Sequence, residues 1–315
     1  MDSGRICLMN FNLSKDNGEP SIRQVSVLDR IQIFYVFHCD DGLLLCFLKD
    51  CSRILVWNPY LGQKRWIEPR HGSFHSSDRF ALGYDKSLNH KILRISDEIH
   101  PVTSENVLGF ELYEFSSSSW KVLGDVIPRW ERCLLSRGVS LKGNTYFRSS
   151  VSGGYFLCFD FTAESIGPLL PLPPSHSYFA LHYLSLSCVR REEQQLAALY
   201  QHSDTRETIE ISVTDKIGPH VVSWTKFLKV VTGCWVNPFG GSFLVDEEKK
   251  IALVFVLETV SGCFYQTAHV FGEDGYFKSA TAGFPDVPSR KRKFRALGKG
   301  DVFVPPPSVK KCETL

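Results

Sequence analysis

Methionine is almost absent, with two in 315 residues, and neither sign of charge dominates: 36 Lys and Arg stand against 34 Asp and Glu, a formal net charge of +2. A balance this close to neutral creates no field that would gather nucleic acid or an acidic membrane, so neither is expected as a partner. Long apolar runs are missing too. "IALVFVL" (251–257) is among the longest, far short of the roughly 20 residues that a membrane helix needs. The opening, "MDSGRICLMNFNLSKDNGEP", has no continuous apolar stretch of the signal-peptide kind. The expected location is the nucleus or the cytoplasm.

The motifs of catalysis are equally scarce. Ten cysteines are scattered through the chain without a CxxC pair, mostly in apolar runs such as "GLLLCFL", and read as buried thiols in a reducing compartment. No GxSxG elbow and no HExxH occurs, and "GKGD" (298–301) lacks the strand-before, helix-after setting of a phosphate cradle. In His38-Cys39-Asp40-Asp41 the thiol and the imidazole are strand neighbours and point to opposite faces, which argues against a nucleophile pair. His71 and His75 lie four apart in a Gly/Ser loop with no third ligand at useful spacing. Asp246-Glu247-Glu248 followed by Lys249-Lys250 is a polar hairpin turn, without the Gly and distal Glu of an EF-hand. No catalytic residue, metal site or cofactor is therefore expected, and the chain is not read as an enzyme.

What the chain has is aromatics, 13% of it, in a repeated pattern. "VWNPYLGQKRWI" (56–67) is strand, tight turn, strand: Asn58-Pro59 opens the turn and Gly62 permits the left-handed conformation that closes it. A hairpin this small cannot bury two indoles alone. "LYEFSSSSWKVL" (112–123), "CFDFTAESIGPLLPLP" (158–173), "ISVTDKIGPHVVSWTKF" (211–227) and "HVFGEDGYFKSA" (269–280) have the same outline. Their returning residues, 66, 120, 166, 224 and 277, recur at about 50 residues, with Ile166 and Phe277 where the others have Trp.

Between them lie further strand–turn–strand segments, "VFHCDDGLLLCFL" (36–48), "FALGYDKSLNHKILRIS" (80–96), "GVSLKGNTYFRS" (138–149), "YLSLSCVRREEQQLAALYQ" (183–201) and "FGGSFLVDEEKKIALVFVL" (239–257). Two hairpins per unit make a four-stranded sheet. The expected fold is all-β, a β-propeller-like ring of about six four-stranded blades; a sandwich fits less well, because its strand rhythm is 8–12 residues. "REEQQLAALYQ" (191–201) alone has helix-forming composition, and reads equally as a charged turn and a strand. Trp57, Trp66, Trp120 and Trp224 are expected in the core, the returning ones wedged between blades.

An ordered series carries a resemblance: "FHCDDGLLLC", "ILVWNPYLGQKRWI", "FALGYD", "HKILRI", "YEFSSSSWKVL", "GVSLKGNTYF", "FLCFDFTAESIGPLLPLP", residues 186–201, "VSWTKFLKV", "FLVDEEKKIALVF" and "GEDGYFK". Over residues 5–280 it resembles the F-box-associated (FBA) domain of the plant F-box/kelch-like proteins. The resemblance implies recruitment of a target protein by this domain, while an F-box docks the Skp-type adaptor of a cullin ubiquitin ligase. No Leu-Pro dipeptide precedes residue 171 and no early segment has helical apolar spacing, so adaptor docking is carried over to no residue. Adaptor and cullin are partners only if an F-box is supplied. A non-functional truncated relative, or a propeller holding a small ligand in its central channel, are the alternatives.

The domain is placed at 1–285, with a closing strand at 301–309, and 286–315 is a basic, proline-containing tail. Contact with a target protein, unidentified from sequence, is expected in the longer loops 69–79, 127–133 and 233–241. Arg70, His71, Arg79, Trp130 and Trp235 are the contact candidates there, the two tryptophans as aromatic anchors. Arg290-Lys291-Arg292-Lys293 is the candidate nuclear-localisation run.

Overall fold

The structure, a computed structural model, describes residues 6–12, 21–28, 31–99, 106–124, 135–149, 154–173, 183–189, 194–201, 208–231, 242–260, 263–273 and 277–281. These residues form strands and turns with no helix among them, and among them no helix is long and apolar enough to cross a membrane. The first two strands, β1 (Ile6–Asn12) and β2 (Ser21–Leu28), pair with each other and with no other described strand.

Five antiparallel meanders follow, arranged in a ring. Blade 1 is β3 (Ile33–His38), β4 (Leu44–Leu48), β5 (Ile54–Trp57) and β6 (Lys64–Ile67). Blade 2 is β7 (Arg79–Tyr84), β8 (His90–Ile99), β9 (Asn106–Glu114) and β10 (Ser119–Leu123). In blade 3, β11 (Leu135–Leu141), β12 (Asn144–Ser149) and β13 (Tyr155–Asp160) are followed by two short strands, β14 (Ser165–Ile166) and β15 (Leu170–Pro171), which both pair with β13. Pro168 between them has no N–H to donate to the ladder, which splits this edge. Blade 4 is β16 (Tyr183–Val189), β17 (Gln195–Gln201), β18 (Thr208–Gly218) and β19 (Val221–Val231). Blade 5 is β20 (Ser242–Asp246), β21 (Ile251–Val260), β22 (Cys263–Gly272) and β23 (Phe277–Thr281).

The fold is thus an all-β propeller, but with five four-stranded blades rather than six. The 50-residue step counted the chain's beginning as part of a sixth unit, whereas β1 and β2 form a separate two-stranded sheet. Within "REEQQLAALYQ", Gln195–Gln201 are strand: Leu196 to Tyr200 are all buried between two neighbouring strands, a setting that overrides the helix propensity of Leu and Ala.

The first strands β3, β7, β11, β16 and β20 stand side by side in sequence order around the axis. Alternation then sends one side-chain set of each blade forward and the other back. One continuous core joins blades 1, 2 and 3 through Phe47, Phe80, Leu93, Phe147 and Phe159; a second joins 3 and 4 through Tyr146, Phe156 and Leu196; a third joins 4 and 5 through Leu199, Ile211 and Val254. The sheets pack closely enough that a Cβ on Gly83 would lie 2.3 Å from the Gly143 carbonyl oxygen of the next blade.

The tryptophans divide. Trp57 is core, 2% exposed. Trp120 and Trp224 are half-buried wedges, stacked edgewise or tilted on Phe74 and Tyr113, and on Phe156. Trp66 corrects the expectation, with 39% of its surface exposed. It sits on the outermost strand of blade 1, on the face turned away from blade 2, under the Arg53 guanidinium at 4.5 Å.

Candidate interaction surface

Because each blade is a meander, its connections sort to two ends. Turns between first and second and between third and fourth strands gather at one, the turn end. Second-to-third turns and the links between blades gather at the other, the linker end. The expected contact loops 69–79, 127–133 and 233–241 all join strand ends that lie at the linker end. Of the three, only the first is described in full; Trp130 and Trp235 lie outside the described residues, as do Arg290, Lys291, Arg292, Lys293, the tail 286–315 and the closing segment 301–309.

Link 68–78 is bolted at its middle and at its end. Phe74 is buried against Phe47 and Phe80, and its N–H donates to the Cys51 carbonyl at 3.0 Å. Asp78 closes the link: its Oδ2 accepts the His75 N–H and the Arg94 Nε–H, both at 2.8 Å, and stands 2.7 Å from Arg94 Nη2 in an ion pair. Only 1% of the Asp78 side chain is exposed, so this is an ion pair within the fold. Arg94 Nη1 also bonds Glu111 Oε2 at 2.7 Å, and its guanidinium lies 5.2 Å over the Phe74 ring. Arg70 approaches the other Glu111 oxygen at 3.8 Å. Between these bolts the tips are left to solvent: Arg70, His71, Gly72 and Ser73, then His75, Ser76 and Ser77. His75 Nδ1 is engaged with the Ser77 hydroxyl at 2.7 Å.

Arg70 and His71 are therefore brought together on an exposed, anchored loop. Arg79 is half-buried at the start of β7, nearer the axis. The sequence missed Phe34, which lies at the linker end of the first strand of blade 1 with 42% of its surface exposed. A register shift between Ile33 and Tyr35 breaks the alternation there and turns the ring out, edgewise to Phe47. A period-2 pattern that slips by one residue was the available signal. The sequence also missed the Phe74–Asp78–Arg94 anchor, whose partners are separated along the chain and met only in the fold.

The turn end holds a polar cluster that ties three blades together. Asp40 accepts the Tyr84 hydroxyl at 3.2 Å, the Gly143 N–H at 3.1 Å and the Ser140 hydroxyl at 3.2 Å, so one carboxylate of blade 1 binds blades 2 and 3. Gly143 meets it at φ +77°, a conformation in which a Cβ would also collide with Tyr84. Beside it Asp41 is paired with His90 Nε2 at 2.5 Å and accepts the Leu43 N–H. Burial pushes the Asp40 carboxyl up, and the neighbouring Asp41 charge adds to this while the Gly143 N–H opposes it. Burial also acts on Asp41, but the hydrogen bond and charge of His90 outweigh it and hold this carboxyl below the usual range.

Cys39, Asp40 and Asp41 place their ligand atoms within 4.8 Å of one another, the one such grouping among the described residues. Their chemistry suits a clamp better than a metal. Each carboxylate is already held by donors from its neighbours, and burial with two adjacent negative charges drives the Cys39 thiol well above its ordinary pKa, away from the thiolate that ligation or nucleophilic attack requires. Lys91 continues the clamp by bonding Glu164 at 2.9 Å and the Phe161 carbonyl at 3.1 Å, again from blade 2 to blade 3.

The family described as F-box associated beta propeller domain matches residues 1–295. The chain belongs to this family. An F-box/kelch-repeat protein of Arabidopsis thaliana is 52% identical over 303 residues, 90% of this chain and 75% of that relative. An F-box protein of the same plant is 42% identical over 318 residues, 91% of this chain and 80% of the relative. Among solved structures, the FBA propeller is similar to the major allergen Mala s 1 of Malassezia sympodialis at a TM-score of 0.43 and 9% identity, over 79% of this chain and 78% of that one.

Proposed function

We propose that this FBA propeller is a non-enzymatic recruiter: it holds a target protein at its linker end for a cullin-type ubiquitin ligase, with adaptor docking left to an F-box. Membership of a family found in F-box proteins supports the recruiting role. The observation that carries the choice of surface is the anchored link 68–78, which displays Arg70 and His71 at the same end of the ring as the exposed Phe34. At the turn end the polar groups are instead spent on one another, between blades.

In the same reading residues 1–285 are the propeller, 301–309 supply a closing strand, and the tail 286–315 carries Arg290–Lys293 as an import signal to the nucleus. Trp130 and Trp235 serve as aromatic anchors of the contact. Affinity capture from plant extract tests the surface. A joint Arg70→Ala, His71→Ala, Phe34→Ser variant is expected to lose the partners that wild type retains, while Lys86→Ala and Lys142→Ala, at the turn end, keep them. Loss with the turn-end variant and retention with the linker-end one would reverse the assignment.

A further inference from the structure

Four consecutive serines, 116–119, span the turn from β9 into β10, and all are exposed. This turn joins a third strand to a fourth, so it lies at the turn end, away from the recruiting surface. Two of its hydroxyls face opposite charges. Ser117 Oγ stands 3.5 Å from Glu114 Oε2 and 2.8 Å from Ser119 Oγ. Ser118 Oγ instead accepts a hydrogen bond at 2.9 Å from Arg65 Nη2, which reaches across from blade 1. Ser118 has φ +53°, a left-handed conformation uncommon for a residue with a Cβ, yet a hydroxyl-bearing side chain and not a glycine occupies it.

Arg65 is a cation held in place and short of a counter-charge. It stands on β6, the outermost strand of blade 1, and turns toward blade 2. Its guanidinium lies 4.7 Å over the Phe115 ring, and the same Nη2 donates to the Phe115 carbonyl at 3.1 Å. The cations of blade 2 around it are matched: Arg94 has Asp78 and Glu111, Lys91 has Glu164, and Lys121 has Glu114 and Glu164. Among the described residues Arg65 has no carboxylate partner, and its Nε and Nη1 hydrogens have no acceptor. An oriented cation with open donors, beside an exposed hydroxyl, is suited to an anion built on that hydroxyl.

The geometry points to Ser118 as a phosphorylation site whose phosphate is clamped by Arg65, fastening the β9–β10 turn to blade 1. A protein kinase drawing on ATP supplies the group. Ser118 Oγ forms a bond to the terminal phosphorus, the bond from that phosphorus to the oxygen of the departing ADP breaks, and the hydroxyl proton passes to the kinase's base. The phosphate brings a charge of about −1.5 to −2 and three acceptor oxygens. It grows from an oxygen already 2.9 Å from Nη2, so the fork of Nη1 and Nη2 is within its reach. Ser117 is the wrong neighbour, because a phosphate there meets the like charge of Glu114.

The test has two arms, both on the full chain. In the first, the protein is incubated with plant extract and ATP, and phosphate is placed by site-resolving mass spectrometry. It is expected on Ser118, absent from this turn in Ser118→Ala, and kept in Ser117→Ala and Arg65→Gln. No phosphate on Ser118, in an extract that phosphorylates a general kinase substrate, overturns the site. In the second arm phosphoserine is genetically encoded at 118 or at 117. At 118 it is expected to raise the melting temperature by about 1–2 °C. In phosphorus-31 NMR its second ionisation is expected below the ordinary value of about 6, and Arg65→Gln is expected to remove both effects. At 117 neither effect is expected. A phosphoserine 118 whose titration is indifferent to Arg65→Gln overturns the clamp, and equal effects at 117 and 118 overturn Ser118 as its seat.

Discussion

Replacing Asp78 by asparagine keeps the size of the side chain and the oxygen that accepts the His75 N–H, and removes only the charge that Arg94 grips. A charge-assisted hydrogen bond at 2.8 Å and an ion-pair contact at 2.7 Å depend on that charge. Contacts of this kind contribute about 1.5–3 kcal/mol each, which bounds the loss near ~6 kcal/mol. The amide oxygen still accepts weakly, and Glu111 retains the guanidinium at 2.7 Å, so the expected cost is about 2–3 kcal/mol. Urea unfolding gives the number from the shift in midpoint at constant slope. Limited proteolysis gives the place, since a loosened 68–78 link is cut first. Arg70→Ala, which breaks only an exposed 3.8 Å contact, is the control and is expected to cost less than about 0.5 kcal/mol. If Asp78→Asn changes stability by less than about 0.5 kcal/mol and leaves the link as resistant as before, the anchor argument is wrong, and with it the reason for reading this loop as preformed.

Trp57→Ala deletes a side chain that is 2% exposed and is expected to destabilise by about 3–5 kcal/mol in the same urea assay. Trp120→Phe, which loses chiefly the bond to Glu68, is expected to cost about 1 kcal/mol; a value as large as that of Trp57→Ala would mean that ring packing, not the bond, holds the wedge. Asp41 has its folded-state carboxyl pKa held below the unfolded value, so its stabilisation is present above the ordinary carboxylate range and is lost as pH falls through it. Thermal melts of wild type and Asp41→Asn are therefore expected to differ near neutral pH and converge below about pH 3, and a constant gap would show that charge is not the cause. Residues 1–40 carry alternating or mixed apolar runs and no amphipathic helical one, so this chain alone is expected not to retain a Skp-type adaptor in a pull-down, whereas its fusion to a genuine F-box retains it; equal retention by both refutes this.

Local chemistry alone decided much of this protein. Alternating apolar residues, Asn58-Pro59 and Gly62 turns, and a returning aromatic every 50 residues or so specify antiparallel hairpins in series, because period-2 alternation and turn residues act over a few neighbours. The ordered motifs carried the family. The tertiary structure decided which hairpins share a sheet, and so the count of five: whether β1 and β2 join a blade depends on what lies beside them, which no local pattern records. It also decided how identical residues are used. Trp57 and Trp66 stand nine positions apart on arms of one hairpin, yet one is core and the other rim, because burial is set by what the fold packs around a residue and not by its own hydrophobicity. The surface depended most on the fold. Phe74, Asp78, Arg94 and Glu111 come from a link and two strands, and only their meeting turns an ordinary polar loop into a fixed one, since an ion pair forms where the fold removes both partners from water together.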